Sequence, residues 1–484
     1  MALRDCFDQS DQRFSCLLIS SPQGHSGKTI VTVGLCKLLI RQGLSIQPFK
    51  KGPDYIDPSW LTIAAGRSCR NLDLFLIPKD RLIQAFEQAC KEMDLAIVEG
   101  AMGLYDGLDT HETTAEIARL LNIPIILVVN TSRMTSSIAA MVKGYQLFQT
   151  DIKISGVILN YVSNSRHEEK LREAVEQHCE IPVVGSIPRD SDLLIAERHL
   201  GLIPSQESSE AELLIERIAN KLESHLDLER ILSIARSSKA PQTPSLLWKK
   251  RKTKKSPLPL GERDRVRGTA RTKKVRIGVI RDRAFNFYYP ENLEALEKVG
   301  ARLIFINSFM ERLPKLDGLY IGGGFPEFFL KELEENHGLR KDIAEAVEDG
   351  LPVYAECAGL MYLCRRIYWQ GRSYEMVGII PAEVRISEKP EGHGYMVAEV
   401  NGENPIFPIG IIIRGHEFHH SSLCGPKNLQ FAYQIKRGRG IIGKKDGIIY
   451  KNLFASYIHL HALGTPEWAQ GFVSLASKEK RSNR

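Results

Sequence analysis

The sequence predicts a two-domain α/β protein, and three observations carry that prediction. Apolar runs of strand length alternate with helical spacing through both halves of the 484 residues, the pattern of mostly parallel sheets. In the first half, a strand enters a glycine-containing loop that ends Gly27-Lys28-Thr29 and opens a helix. In the second, the run Leu351–Ala355 turns through Glu356-Cys357-Ala358-Gly359 into the helix-like Leu360-Met361-Tyr362-Leu363. A chain of this length exceeds one ordinary core.

Composition narrows the class. The 43% hydrophobic and 25% charged fractions are those of globular chains in water. Nine scattered cysteines, without a C-x-x-C pair or a Cys/His cluster at zinc spacing, argue for a reducing compartment and against a disulfide framework. The opening MALRDCFDQSDQRF has no apolar signal core and no run approaches a membrane span, so a cytoplasmic protein without a membrane partner is expected. The net charge of +7 is concentrated: Lys249–Lys274 holds twelve Lys/Arg against Glu262 and Asp264, a local +10 that leaves the rest near −3. Residues 241–274 have Pro, Gly and charge but no apolar face, and read as a disordered linker between domains at 1–240 and 275–484. Without interleaved aromatics or a folded motif, the linker does not make nucleic acid an expected partner.

In the first half, Phe14–Ser20 is a buried-type strand and Ile30–Gln42 a helix, with Ser21–Thr29 between them. Strand, loop and helix make a phosphate-binding loop. Its N–H groups around Gly27 cradle phosphate, Lys28 reaches the terminal phosphates and the Thr29 hydroxyl ligates Mg²⁺. Pro22 stands where the leading glycine of this loop usually is. Ser45–Lys50 is a second strand, leading into the turn Lys51–Pro58 with Asp54, Tyr55 and Asp57. Carboxylates past the end of a parallel strand lie where ligands bind, although a solvated turn has the same composition. Asp94–Glu99 is a third strand; Glu99 at its tip is placed to partner Mg²⁺, and Asp106 follows in the next loop. Ile123–Asn130 and Ile154–Asn160 are two more, with Asn160 positioned to read a nucleotide base. Pro188-Arg189-Asp190 begins the exit, and Ala211–Ile234 supplies closing helices.

In the second half, Val275–Arg281, Arg302–Ile306 and Leu316–Ile321 are strands, with a helix at Glu291–Val299. Gly322-Gly323-Gly324 then offers close backbone approach and N–H donors for an oxyanion. The strand-to-helix turn at Cys357 has the geometry of a nucleophile elbow, where the helix N-terminus is expected to lower the thiol pKa. A lone cysteine after a strand is also commonly a small buried hydrophobe. A base for it is available at His416, His419 and His420, or at His459 and His461.

These pieces together resemble the cobyrinic acid a,c-diamide synthase family, glutamine-dependent amidotransferases of corrinoid biosynthesis. The resemblance rests on FKKGPDYIDPSW, RNLD (Arg70–Asp73), VEGAMGLYDG, RHLGL (Arg198–Leu202), FNFYYPENLE, YIGGGFPE, YAECAGLMYL, GHEFHHS and ASYIHLH, and covers nearly all but the first dozen residues and the linker. It implies a P-loop synthetase domain of the dethiobiotin-synthetase type joined to a flavodoxin-like class I glutaminase domain. In this reading Cys357 attacks glutamine, His459 raises its nucleophilicity, and the backbone at Gly324 and Ala358 holds the oxyanion. Gly27, Lys28, Thr29 and Asn160 take ATP; Thr29, Asp54 and Glu99 take Mg²⁺; Tyr55, Asp57 and Asp106 handle the substrate and its acyl phosphate. Glutamine, ATP and a corrinoid carboxylate are the implied small-molecule partners, with a homodimer as the protein partner.

The chain departs from the family pattern at Cys357-Ala358-Gly359, where Cys-Gly-Gly is more frequent, and at Ser21-Pro22. Other class I glutaminases place a Glu two residues after the histidine; His461 stands there, leaving the third member of the triad open. Nickel-sirohydrochlorin and hydrogenobyrinate diamide synthases, and cobyric acid synthase, are alternatives of the same architecture. A P-loop ATPase switch with an inactive glutaminase domain is the alternative of a different class.

Overall fold

A computed structural model of the chain describes residues 15–108, 112–190, 193, 195, 197–198, 201–238, 274–425 and 428–482. The basic linker, apart from Lys274, lies outside the described residues, as do His199 and Leu200 of the RHLGL stretch.

Seven parallel strands build the first sheet: β1 (Ser15–Ser20), β2 (Ile46–Lys51), β3 (Arg70–Leu72), β4 (Leu95–Glu99), β5 (Ile125–Asn130), β6 (Ile154–Val162) and β7 (Val183–Pro188). Their order is β3-β2-β4-β1-β5-β6-β7. Near-continuous apolar runs suit strands covered on both faces. Along β1, Cys16 and Leu18 enter one core layer, Leu17 and Ile19 the other. Pro48 sits inside β2 at a cost the topology limits: pairing with β3 begins only at Phe49↔Arg70, so its missing N–H falls outside that ladder. The expected closing segment is two helices, Ala211–Leu222 and Leu228–Arg236, the second capped by Asp227 accepting from the Arg230 N–H. Any side chain at Gly34 would collide with Leu222, so this glycine lets the helix after the phosphate loop (Lys28–Arg41) approach the closing helix.

The second sheet begins with five parallel strands side by side: Ala301–Ile306, Val275–Ile280, Gly318–Ile321, Val353–Glu356 and Leu453–Ser456. This is the flavodoxin-like order, whose ligand crevice lies at the carboxyl ends of the strands. Five further strands extend it antiparallel, among them Gly392–Val400 and Ile412–His419, which carries the GHEFH residues, and His459–Leu460. Sequence periodicity did not resolve this antiparallel block. Among the described residues no helix is long and apolar enough to cross a membrane.

The two domains are docked through the RNLD stretch. Arg70, at the start of edge strand β3, bonds Glu291 at 2.9 Å and also pairs with Glu294, both on the helix Pro290–Lys298. Asp73 caps the following turn through the Phe75 and Leu76 N–H groups and accepts from the Tyr395 hydroxyl at 2.6 Å. Arg81 donates to the Leu463 carbonyl, and Arg414 lies over the Phe75 ring. Burial alone would raise the Glu291 carboxyl, but His461 and Arg70 hold it down at about 2.

Removing one partner of a buried ion pair strands the other. Arg70→Ala should therefore cost about 3 kcal/mol in denaturant unfolding. Because the Glu291 carboxyl is depressed in the folded state, this stabilisation is present above its unfolded pKa of roughly 4.3 and is lost as the pH falls toward 2. The difference between wild type and Arg70→Ala should shrink over that window.

Candidate active site

The phosphate loop crosses from β1 to its helix with Gly27 at φ 87°, in the left-handed region. A side chain there would strike Asn160, whose Nδ2 donates to the Ser26 carbonyl at 2.9 Å while its Oδ1 accepts from the Tyr161 N–H. Asn160 thus braces the loop from the end of β6. It also lines a shallow cleft with Ile30, Tyr161, Pro188 and Asp190. Pro22 fills the position of the usual leading glycine, and its carbonyl accepts from the Tyr145 hydroxyl at 2.7 Å. Lys28 donates to Ser21 Oγ at 2.9 Å and to the Met102 carbonyl at 2.7 Å. Burial, and then the neighbouring Lys50, bring its ammonium down to about 8.

Lys50 was not singled out from the sequence, yet it organises the acidic residues. It is buried, with Nζ 2.5 Å from Asp57, 2.6 Å from Glu99 and 3.8 Å from Asp54. Burial alone would lower this ammonium; Asp57, Glu99 and Asp54 hold it above its ordinary range. Thr29 Oγ1 donates to Glu99 Oε1 at 2.9 Å, and Glu99 Oε2 is buried without a hydrogen-bond partner. Burial raises the Glu99 carboxyl, and burial together with Asp57 pushes Asp54 up to about 7. No three His, Cys, Asp or Glu side chains form a closed metal cage among the described residues. Two carboxylates and a hydroxyl beside a phosphate loop nevertheless fit Mg²⁺, which takes few protein ligands and fills its shell with water and phosphate. Asp106 lies exposed beyond β4, its Oδ2 accepting from the Gly103 N–H at 2.9 Å.

Cys357 follows the strand Val353–Glu356 with φ 47° and ψ −101°, and the helix Ala358–Leu363 begins at once. This is the sharp elbow the sequence implied. The expected lowering of the thiol is overturned: burial, then Glu327, push it up. A six-residue helix carries a small dipole, and desolvation outweighs it. The narrow cleft over the thiol is lined by Gly324, Phe325, Glu327, Phe418, His420 and Ser421 among others. Gly324 has φ 154°, and a side chain there would run into the Ala284 carbonyl. Gly323 leaves room for the His459 ring. His459 is buried, with Nδ1 3.6 Å from Glu356 Oε2, while His461 faces Glu291 Oε2 at 3.6 Å. Burial, then His459, hold His416 well below the ordinary imidazole range; its ring stacks on His459 at 4.9 Å.

Tyr55 joins the two centres. It follows Asp54, and its ring stacks on Phe287 at 4.8 Å, with Tyr289 at 4.6 Å, His459 at 5.4 Å and His416 at 5.7 Å. The structure therefore brings Gly27, Lys28, Thr29, Asp54, Asp57 and Glu99 to one crevice and Gly324, Cys357 and Ala358 to another; His459 lies against Gly323, His416 and Glu356, and Tyr55 reaches it from the acidic turn. The sequence reading named His416 among the possible bases and missed Lys50 and Glu356. A lysine inside an apolar strand was the available signal for Lys50; Glu356 had none before the strands were paired.

The Cys-Ala-Gly departure also resolves. Ala358 starts the helix without a left-handed φ, whereas a side chain at Gly359 would collide with the Ile321 carbonyl. Ala358→Gly should leave glutamine hydrolysis within about twofold of wild type, a surface-like effect. Gly359→Ala should lower both thermal stability and glutaminase rate, read by melting curves and glutamate release.

Comparisons with known proteins agree with this division. Residues 17–203 match the CobQ/CobB/MinD/ParA nucleotide binding domain, and residues 276–467 match the CobB/CobQ-like glutamine amidotransferase domain. The chain is 43% identical to the cobyrinate a,c-diamide synthase of Magnetococcus marinus, over 94% of its own length and 96% of that protein. For the protein of the same name from Archaeoglobus fulgidus the identity is 39%, over 96% and 98% of the two chains. For that of Methanothermobacter thermautotrophicus it is 40%, over 92% and 96%. With both domains matched and identity sustained over nearly the whole of each relative, the chain belongs to the cobyrinate a,c-diamide synthase family.

Proposed function

We propose that this chain converts the a- and c-acetate carboxylates of cobyrinate to amides, using ATP and ammonia drawn from glutamine. The observation that carries the reading is Tyr55: one residue of the acidic turn packs against the histidine read as the base, so the synthetase turn adjoins the glutaminase domain where ammonia must pass. The domains proposed are the synthetase at 1–240 and the glutaminase at 275–484.

At the glutaminase centre the resting thiol is protonated, since burial raises it. His459 Nε2 takes the Sγ proton as sulfur attacks the amide carbon of glutamine. A C–S bond forms, and the carbonyl electron pair moves onto oxygen, toward the N–H groups of Gly324 and Ala358. Collapse breaks the C–N bond, and the amide nitrogen leaves as ammonia with the proton from His459. Water then cleaves the thioester through the same base, releasing glutamate and restoring the thiol.

At the synthetase centre the loop at Gly27 and Lys28 takes the phosphates of ATP, with Asn160, Pro188 and Asp190 on the side where the base would lie. Mg²⁺, held by Thr29, Asp54 and Glu99, would offset negative charge on the transferred phosphoryl group. Lys50 fixes the Asp57 and Glu99 carboxylates from within the sheet. Tyr55, Asp57 and Asp106 border the place where the corrinoid carboxylate becomes an acyl phosphate and then, with ammonia, an amide. Exposed Leu147 and Phe148 beside Tyr105 support the homodimer as part of this reading.

Amide formation from cobyrinate should proceed with glutamine in wild type, and with added ammonium salt only in Cys357→Ala. Mass spectrometry of the corrinoid after each incubation reads the outcome. Amidation of sirohydrochlorin or hydrogenobyrinate in place of cobyrinate would reassign the macrocycle, and ATP hydrolysis without glutamine hydrolysis would favour the ATPase switch.

Metal binding needs Asp54 ionised, and its carboxyl is raised to about 7. The Mg²⁺ concentration that half-saturates ammonia-dependent amidation, at fixed free ammonia, should rise about tenfold per pH unit below 7 and level off above it. Asp54→Asn should remove that slope and raise the requirement at every pH.

A further inference from the structure

Glu356 stands directly before the nucleophile and ends the strand Val353–Glu356. Its side chain and that of His459 are each 1% exposed, with Oε2 3.6 Å from His459 Nδ1. That separation is beyond a hydrogen bond, and Nδ1 is buried with no hydrogen-bond partner. Three donors do bond the carboxylate: Tyr320 at 3.1 Å on Oε2, Tyr354 at 3.1 Å on Oε1, and the Leu460 N–H at 3.4 Å on Oε1. The sheet makes this arrangement. Tyr354 and Glu356 share one face by strand alternation, and Tyr320 lies opposite Tyr354 in register on the neighbouring parallel strand.

The position two residues after His459 is used elsewhere. His461 faces Glu291, packs its ring tilted against Tyr289 at 4.6 Å and accepts from the Leu463 N–H, which commits it to the domain junction. A buried carboxylate that meets two phenols, one amide N–H and one imidazole is best satisfied when the imidazole donates and carries charge.

We propose that Glu356 is the positioning residue for His459. Its carboxylate accepts the Nδ1 proton, which fixes the ring with Nε2 available to Cys357, and it stabilises the imidazolium that forms when Nε2 receives the Sγ proton. That proton leaves with ammonia; Glu356 itself gains none. The inference rests on the Cys357–His459 reading. His416 and Tyr55 face His459 from the other sides, and Glu327 and Asp446 act on the thiol; each is left in place by the test.

The experiment is the pH profile of Cys357 alkylation by iodoacetamide, followed by peptide mass spectrometry in the full-length protein. Wild type is compared with Glu356→Gln, Glu356→Asp and His459→Asn. Melting curves accompany each, and glutamine kcat/KM is measured alongside. Glu356→Gln should slow alkylation near neutral pH by about tenfold, move its midpoint upward, and lower kcat/KM for glutamine by roughly 100-fold. Glu356→Asp, which keeps the charge on a shorter arm, should fall between them. An unshifted Glu356→Gln profile beside a shifted His459→Asn profile would overturn this inference alone. Unshifted profiles in both would overturn the Cys357–His459 reading and this inference with it. If Glu356→Gln fails to fold, the Asp variant decides: an intermediate shift supports the role, and a profile coincident with wild type overturns it.

Discussion

Ammonia is useful to a synthetase only while unprotonated and close by, so the two crevices of this chain must face each other. The Arg70–Glu291 pair is the contact on which that depends. Arg70 starts a three-residue edge strand of the first sheet, and Glu291 lies in the first turn of a helix of the second domain. Both active crevices lie at the carboxyl ends of parallel strands, and the docking turns those ends toward each other. His461 extends the pair on the glutaminase side, and Asp73–Tyr395 adds a second point of attachment. Two points of attachment fix an orientation where one would leave a pivot.

Buried charge is handled by one rule at both centres. Lys50 and Glu356 each sit where an isolated ion would be unaffordable, and each is surrounded by groups of complementary character. Around Lys50 the complement is three carboxylates, and it orders the oxygens that face the phosphate loop. Around Glu356 it is two tyrosines, a backbone N–H and the histidine. In both cases the sheet supplies the precision, since neighbouring strands fix which side chains meet.

The thiol follows the same logic with the opposite sign. Burial without a nearby cation keeps Cys357 protonated, which protects it at rest and makes reaction conditional on a base. The elbow places sulfur over a cleft while Gly323, Gly324 and Gly359 admit the histidine ring and the backbone around it. At Cys357-Ala358-Gly359, the backbone requires the third residue to be glycine and leaves the second free.

Much of this protein is local in origin. Apolar runs bounded by turn residues gave most of the parallel strands to within two residues, because both-face burial marks each segment by itself; the edge strands β3 and β7 were not read as strands. Gly27-Lys28-Thr29 and the elbow are contiguous and carry their chemistry in the order of their residues. What depends on strand pairing was not legible. The antiparallel block from Gly392 onward alternates too weakly to register as strands, and the lowered thiol pKa expected from the elbow ignored a desolvation that only the packed core imposes. RNLD was visible as a motif without a reason; the fold assigns it to docking, through Glu291 and Tyr395, 221 and 322 residues away. The sequence by itself determined the two strand-to-helix turns, at Gly27-Lys28-Thr29 and at Cys357. Tertiary structure decided which side chains meet, because the Lys50–Tyr55 stretch, Glu356 and His459 come from three separate segments, and no local spacing encodes the distances between them.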